Sequence, residues 1–87
     1  MIELELLGRQ GCHLCDALHA ELVAALPASG VRIVVRAVDS DPELARRYGR
    51  QVPVVRLGGA VLLAHRFDAE RLARALAGEA WEPLELR

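Results

Sequence analysis

Within its first 38 residues the chain changes hydrophobic period twice, and this constrains the fold more than any other feature. In "IELELL" the apolar Ile2, Leu4 and Leu6 alternate with Glu3 and Glu5, the period of a strand with one covered face. Gly8 to Gly11 interrupt the pattern as a loop. From Cys12 onward Leu14, Leu18, Leu22 and Leu26 recur every fourth residue, which predicts one apolar face of a helix. Pro27 and Gly30 end that helix. The β-branched run "VRIVVRAV" then predicts a second strand with both faces largely covered. A strand, a helix and a strand in so short a span imply a right-handed crossover joining parallel strands.

The second half is punctuated by caps and turns. In "DSDPELARRYGRQ", Ser40 or Asp41 caps a short helix, Pro42 suits its first turn, and Glu43 can close a capping box with Ser40. Gly49 reads as its C′ stop. "VPVVRL" and "AVLLAHR" flank Gly58-Gly59 and read as a hairpin. Asp68 caps a last helix to about Ala77, with Glu70 and Arg74 spaced to pair and Gly78 as its stop. The order βαβ, helix, ββα is an α/β pattern with a mixed sheet. Residues 79–87 form a tail whose Trp81, Leu84 and Leu86 face either the domain or a partner.

At 87 residues the chain is one domain, of a size that buries only about 60–65% of its unfolded surface. Eleven basic and twelve acidic residues are interspersed and leave a formal charge of −1, so neither a nucleic-acid stripe nor an acidic tail is present. Every basic residue is Arg, which excludes lysine Schiff-base chemistry. The start "MIELELLG" is acidic where a secretory signal is basic, and no apolar run approaches a membrane span. The expected compartment is the cytoplasm, where two thiols rest reduced.

Those thiols are Cys12 and Cys15, the only cysteines. Buried structural thiols would suit Cys15, but Cys12 belongs to a Gly- and polar-rich loop. A closed zinc site needs four ligands; with His13, His19 and His65 the chain lacks a second pair at zinc-finger spacing. A metal or iron–sulfur cluster between two chains stays open. The redox reading has direct physical support. Residues three apart on a regular helix sit about 5–6 Å apart, too far for disulfide Cβ atoms at about 3.5–4.5 Å. A first cysteine at the N-cap, outside the helical backbone, lets the pair close. It also turns unpaired N–H groups and the positive dipole end toward the Cys12 sulfur, favouring the attacking thiolate.

A strand, a Cys-x-x-Cys opening a helix, and a later Val-Pro before a hairpin resemble the thioredoxin fold. The short form, starting on the strand before "CHLC" and carrying "VPVV" downstream, is similar to glutaredoxin and the small bacterial glutaredoxin-like proteins over residues 1–78. The resemblance implies a four-stranded mixed sheet with flanking helices. It implies Cys12 as exposed nucleophile and Cys15 as buried resolving thiol. It also implies a cis Pro53 facing them, with the Val52 backbone free to pair with an extended substrate. Arg9 sits where those proteins often place a basic residue for glutathione's glycine carboxylate, Asp68 matches the acidic residue near its γ-glutamyl end, and His13 lies inside the dithiol motif. The departures are His13-Leu14 between the cysteines, where glutaredoxins carry Pro-Tyr, and "AHRFD" where they carry a glycine pair.

The expected function is therefore a glutaredoxin-like thiol–disulfide oxidoreductase acting through Cys12 and Cys15 as a monomer. It needs no metal or organic cofactor, takes protein or small-molecule disulfides, and draws electrons from glutathione or a reductase. Neither nucleic acid nor membrane is an expected partner. The alternative is a non-catalytic binding module of the same fold, holding a protein, glutathione or an iron–sulfur cluster shared by two chains. His19, His65 and Tyr48 read as a helix-surface, a surface and a packing residue.

Overall fold

The computed structural model describes residues 1–86. The chain runs β1 (Ile2–Gly8), α1 (His13–Ala25), β2 (Val31–Ala37), a 3-10 turn (Val38–Ser40), α2 (Pro42–Tyr48), β3 (Val54–Leu57), β4 (Ala60–Ala64) and α3 (Ala69–Leu76). The four strands form one sheet in the order β2-β1-β3-β4. β1 and β2 are parallel, from Ile2 opposite Val31 to Gly8 opposite Ala37. β3 runs antiparallel to both β1 and β4. Gly58 and Gly59 take φ of 61° and 82° at the hairpin turn, a left-handed pair that a two-residue turn between twisted strands requires.

The alternation in β1 sorts its side chains to two cores. Leu4 and Leu6 join Leu18 and Leu22 of α1 and Leu72 of α3 in one buried cluster. Leu7 points the other way, to Val38, Leu44 and Tyr48 around α2. Glu5 shares that second face with Leu7, and the sheet supplies its counter-charges. Arg56, opposite it on β3, reaches Glu5 Oε1 with Nε at 2.8 Å and Nη2 at 2.7 Å. Arg36 Nε on β2 reaches Oε2 at 2.8 Å. Glu5 and Arg56 keep only 16% and 14% of their side-chain surface, and Arg56 also lies over the Tyr48 ring at 5.4 Å. One carboxylate on the central strand thus ties three strands together.

Several expectations are corrected. β2 is not covered on both faces: it is an edge strand, and Val35 is 62% exposed. Its β-branched composition reflects strand pairing, which is compatible with burial on one side alone. Leu14 is not part of the core face of α1 but 61% exposed. Residues four apart on an α-helix drift by about 40° per step, so Leu14 lies at the margin of the stripe and Cys15 occupies the core position of the first turn. Asp41, not Ser40, caps α2, its Oδ1 accepting from the Glu43 and Leu44 N–H groups. Ser40 Oγ donates to the Ala37 carbonyl and closes the 3-10 turn, while Glu43 pairs with Arg46, so no capping box forms. Gly49 is the C-cap at φ −54°, right-handed, and not a left-handed stop.

The tail returns to the domain. Leu84 N–H donates to the Val61 carbonyl at 2.9 Å along the outer side of β4, and Arg71 spans from the Leu62 carbonyl to that of Glu82. Trp81 packs on the first core and Leu86 on the second. Arg87, the end of the tail segment, lies outside the described residues. No helix among the described residues is long and apolar enough to cross a membrane.

Replacing Glu5 by Gln leaves two arginines without their charge on a half-buried face. Urea unfolding of Glu5→Gln is expected to show a loss of about 2–3 kcal/mol, below the 3–5 of a fully buried broken pair. A loss under about 0.5 kcal/mol would mean that the three-strand ion pair contributes no more than a surface one.

Candidate functional site

The site forms where β1 hands over to α1. Gly11, at φ 79°, turns the chain, and Cys12 takes an extended conformation at φ −95° and ψ 106° as the N-cap. Cys12 accepts at both of its polar ends. Its carbonyl takes the Asp16 N–H at 3.1 Å, opening the helix, and its Sγ takes the Cys15 N–H at 3.1 Å. The sulfur stands where a Ser or Asp oxygen usually satisfies the first free N–H groups of a helix. With one residue outside the helix and the other in its first turn, the Cα atoms are 5.2 Å apart, and Cys12 and Cys15 are joined as a disulfide.

The two sulfurs are unequal in environment. Cys12 is half-buried, whereas Cys15 is 6% exposed. Cys15 packs directly on Gly8, where a Cβ would sit 3.1 Å from its Sγ and 3.2 Å from its Cβ. Gly8, expected as the start of a loop, is instead the last residue of β1 and part of the site. The available signal was a glycine at the last position of the strand that leads into the cysteines. Leu7 opposite Val54 in the β1–β3 register puts Pro53 one step further, level with Gly8 at the same end of the sheet. The Val52–Pro53 peptide is cis and Pro53 is buried. The Pro53 carbonyl accepts the His65 N–H at 2.8 Å. The Val52 N–H and C=O make no hydrogen bond among the described residues.

The other predicted residues are distributed around this centre. Arg9 grips Asp39 with Nε and Nη2, each at 3.1 Å, and donates from Nη1 to the Gly49 carbonyl at 2.8 Å. It thereby ties the loop before Cys12 to both ends of the α2 segment. The hydrogen bond from Arg9 holds the Asp39 carboxyl below its usual range against a smaller opposing effect of desolvation, and Asp39 in turn raises Arg9. His13 is the exposed first residue of α1. Asp68 caps α3, its Oδ1 accepting the Arg71 N–H at 3.0 Å, and lines a separate depression with Arg71, Arg74 and Trp81. His19 is exposed on α1 and, with Cys15, Leu6 and Val35, lines a groove of about 260 Å³ between α1 and β2. His65 is exposed at φ 71° with Nε2 3.1 Å from Gln51 Oε1. Tyr48 is buried and packs α2 against the sheet. No group of three or more His, Cys, Asp or Glu among the described residues is placed to hold a metal ion.

A strand ending on a cysteine pair, a helix capped by the first cysteine and a buried proline at the adjacent strand end define a thioredoxin-like fold with a dithiol motif. The family described as Glutaredoxin-like domain (DUF836) matches residues 3–77, and the chain belongs to it. Among solved structures, the solution NMR structure of protein Ne2328 from Nitrosomonas europaea is similar at TM-score 0.76 and 28% identity, covering 85% of this chain and 89% of that one. The X-ray structure of target protein XcR50 from X. campestris is similar at TM-score 0.66 and 36% identity, covering 88% and 99%. Comparison with curated proteins found no significant match.

The Gly8–Cys15 contact generates a direct test. Gly8→Ala adds a Cβ at 3.1 Å from the Cys15 sulfur, so either the helix start or the strand end must shift. Overpacking of this kind costs about 1–3 kcal/mol, and urea unfolding of oxidised Gly8→Ala is expected to show a loss in that range. Unchanged stability would mean that the first turn of α1 yields freely and that the contact does not position Cys15.

Proposed function

We propose that the protein is a dithiol–disulfide oxidoreductase in which Cys12 attacks and Cys15 resolves. One observation carries this reading: Cys12 is the N-cap of a 13-residue helix, with the Cys15 N–H directed at its sulfur. In the reduced protein the same N–H and the positive end of the helix favour thiolate at Cys12. Burial on Gly8 keeps Cys15 from competing as the first nucleophile.

In the forward direction the Cys12 thiolate attacks one sulfur of a substrate disulfide. The S–S bond breaks, and the released thiolate takes a proton from solvent. Cys15 then gives up its proton and attacks the Cys12 sulfur of the mixed disulfide, releasing the second substrate thiol. Two electrons have passed to the substrate, and Cys12–Cys15 is oxidised. A dithiol reductase or two equivalents of a small thiol such as glutathione return it to the reduced state. The reaction needs no metal or organic cofactor. The substrate is an extended segment whose backbone pairs with the free N–H and C=O of Val52 beside Pro53, and exposed His13 and Leu14 border the attacked bond. The protein acts as a monomer in the cytoplasm, without nucleic-acid or membrane partners.

Glutathione has limited purchase on this site. Its two carboxylates and one ammonium each call for charge-assisted bonds. Arg9, the candidate for the glycine carboxylate, has three donors engaged by Asp39 and Gly49. Asp68, the candidate for the ammonium, already accepts the Arg71 N–H. A disulfide-containing protein is accordingly the preferred substrate and glutathione a weakly held electron donor.

The test is to trap the intermediate. Cys15→Ser should accumulate a mixed disulfide on Cys12 with a model disulfide substrate, and Cys12→Ser should accumulate none. In the reduced single variants Cys12 should be alkylated at least about tenfold faster than Cys15 at neutral pH. Equal labelling, or a pair that forms no mixed disulfide, would favour the non-catalytic binding module.

A further inference from the structure

The α2 flank of the site carries positive charge that the exchange chemistry does not use. A depression of about 530 Å³ is lined by Ala45, Arg46, Arg47, Arg50 and Gln51, and it ends one residue before Val52. Arg46 is neutralised by Glu43, Nη2 to Oε2 at 2.6 Å. Arg47 stacks 5.0 Å from the Tyr48 ring centroid. Neither Arg47 nor Arg50, both exposed, has a carboxylate partner among the described residues. The acidic groups of the neighbouring elements are committed: Asp39 to Arg9, Asp41 to the start of α2, and Glu5 to Arg36 and Arg56. A basic residue in the last turn of α2 complements the helix dipole, but Arg50 lies beyond the helix end and outside that account.

The contact between His65 Nε2 and Gln51 Oε1 brings the β4–α3 loop to this edge, and exposed Arg66 follows directly in the chain. Arg66, like Arg47 and Arg50, has no carboxylate partner among the described residues. A segment paired with Val52 therefore leaves the site beside the guanidinium groups of Arg47 and Arg50, next to the loop that carries Arg66.

We propose that the preferred substrates are acidic protein disulfides, with Asp or Glu a few residues from the attacked cysteine bound against Arg47 and Arg50. The inference rests on the exchange reaction proposed above and adds the class of protein that enters it. A strand advances about 3.3 Å per residue, so side chains roughly two to four positions from the attacked cysteine reach the depression. The guanidinium fork matches a carboxylate in two parallel hydrogen bonds, and the local field speeds encounter with segments of negative charge. A free polyanion would use the charge but leave Val52 and the adjoining dithiol without a role.

The experiment is single-turnover reduction of two synthetic peptide disulfides by one equivalent of reduced full-length protein. One peptide carries two Glu within four residues of its cysteine, and the other carries Gln at the same places. At about 20 mM ionic strength the Glu peptide should react about 5–20-fold faster, and the ratio should fall below about 2 in 1 M salt, where charges are screened beyond about 3 Å. Arg50→Glu should invert the order while leaving the rate of Cys12 alkylation by neutral iodoacetamide unchanged. Equal rates for the two peptides, or a preference that survives Arg50→Glu, would overturn the acidic-substrate inference and leave the exchange reaction standing. Two inert peptides would overturn the exchange reaction, and this inference with it. Inhibition of the Glu peptide by a single-stranded oligonucleotide but not by an excess of cysteine-free Glu peptide would assign the patch to nucleic acid and overturn it as well.

Discussion

The contact of Cys15 with Gly8 is the constraint on which the arrangement of this molecule turns. It presses the first turn of α1 onto the last residue of β1, so closely that a Cβ there would stand 3.1 Å from the Cys15 sulfur and push it back by a few tenths of an ångström. With the helix held at that point, the residue three before Cys15 falls at the N-cap and outside the helical backbone. That placement makes one cysteine a half-buried acceptor of helix N–H groups and the other a buried neighbour of the sheet. The unequal environment of the pair is thus a packing result. The level of Pro53 follows from the same end of the sheet through the β1–β3 register.

Charge pairs hold the loops around this point and leave the site's own edge open. Arg9 joins the loop before Cys12 to Asp39 and to the end of α2, while Glu5 holds β1 to strands on either side. These pairs use the arginines nearest the sheet. Arg47 and Arg50 around the end of α2, and Arg66 after His65, keep no carboxylate partner among the described residues. A scaffold that is neutralised internally and cationic at one rim is suited to selecting what it binds by charge while using one chemistry on all of it.

Much of this architecture is legible in the chain itself because it is written in local chemistry. The alternation of Ile2, Leu4 and Leu6, the glycine pair at 58–59, and the Asp68 cap with Gly78 beyond it each specify an element through backbone or burial requirements within a few residues. The placement of Cys12 at a helix start follows from the same local logic. What was not legible depends on neighbours distant in sequence. The β-branched run at 31–37 does not encode that β2 lies at the edge, and an every-fourth-residue series admits Leu14 until Cys15 claims the core position. The choice of Asp41 over Ser40 was settled by the 3-10 turn that takes the Ser40 hydroxyl. The engagement of Arg9 by a carboxylate 30 residues away, and the fit of Cys15 on Gly8, are products of the assembled sheet.

The central claim is that Cys12 and Cys15 form a reversible two-electron couple poised for exchange, not a permanent staple. It is tested most directly by equilibrating the protein in glutathione buffers of graded ratio, quenching with a thiol-blocking reagent and measuring the oxidised fraction by mass. An exchanging pair should show one reversible two-electron transition with a midpoint between about −270 and −200 mV, the span from thioredoxin to the glutaredoxins. A dithiol that stays reduced across the series, or a disulfide that resists reduction below about −300 mV as structural ones do, would contradict it.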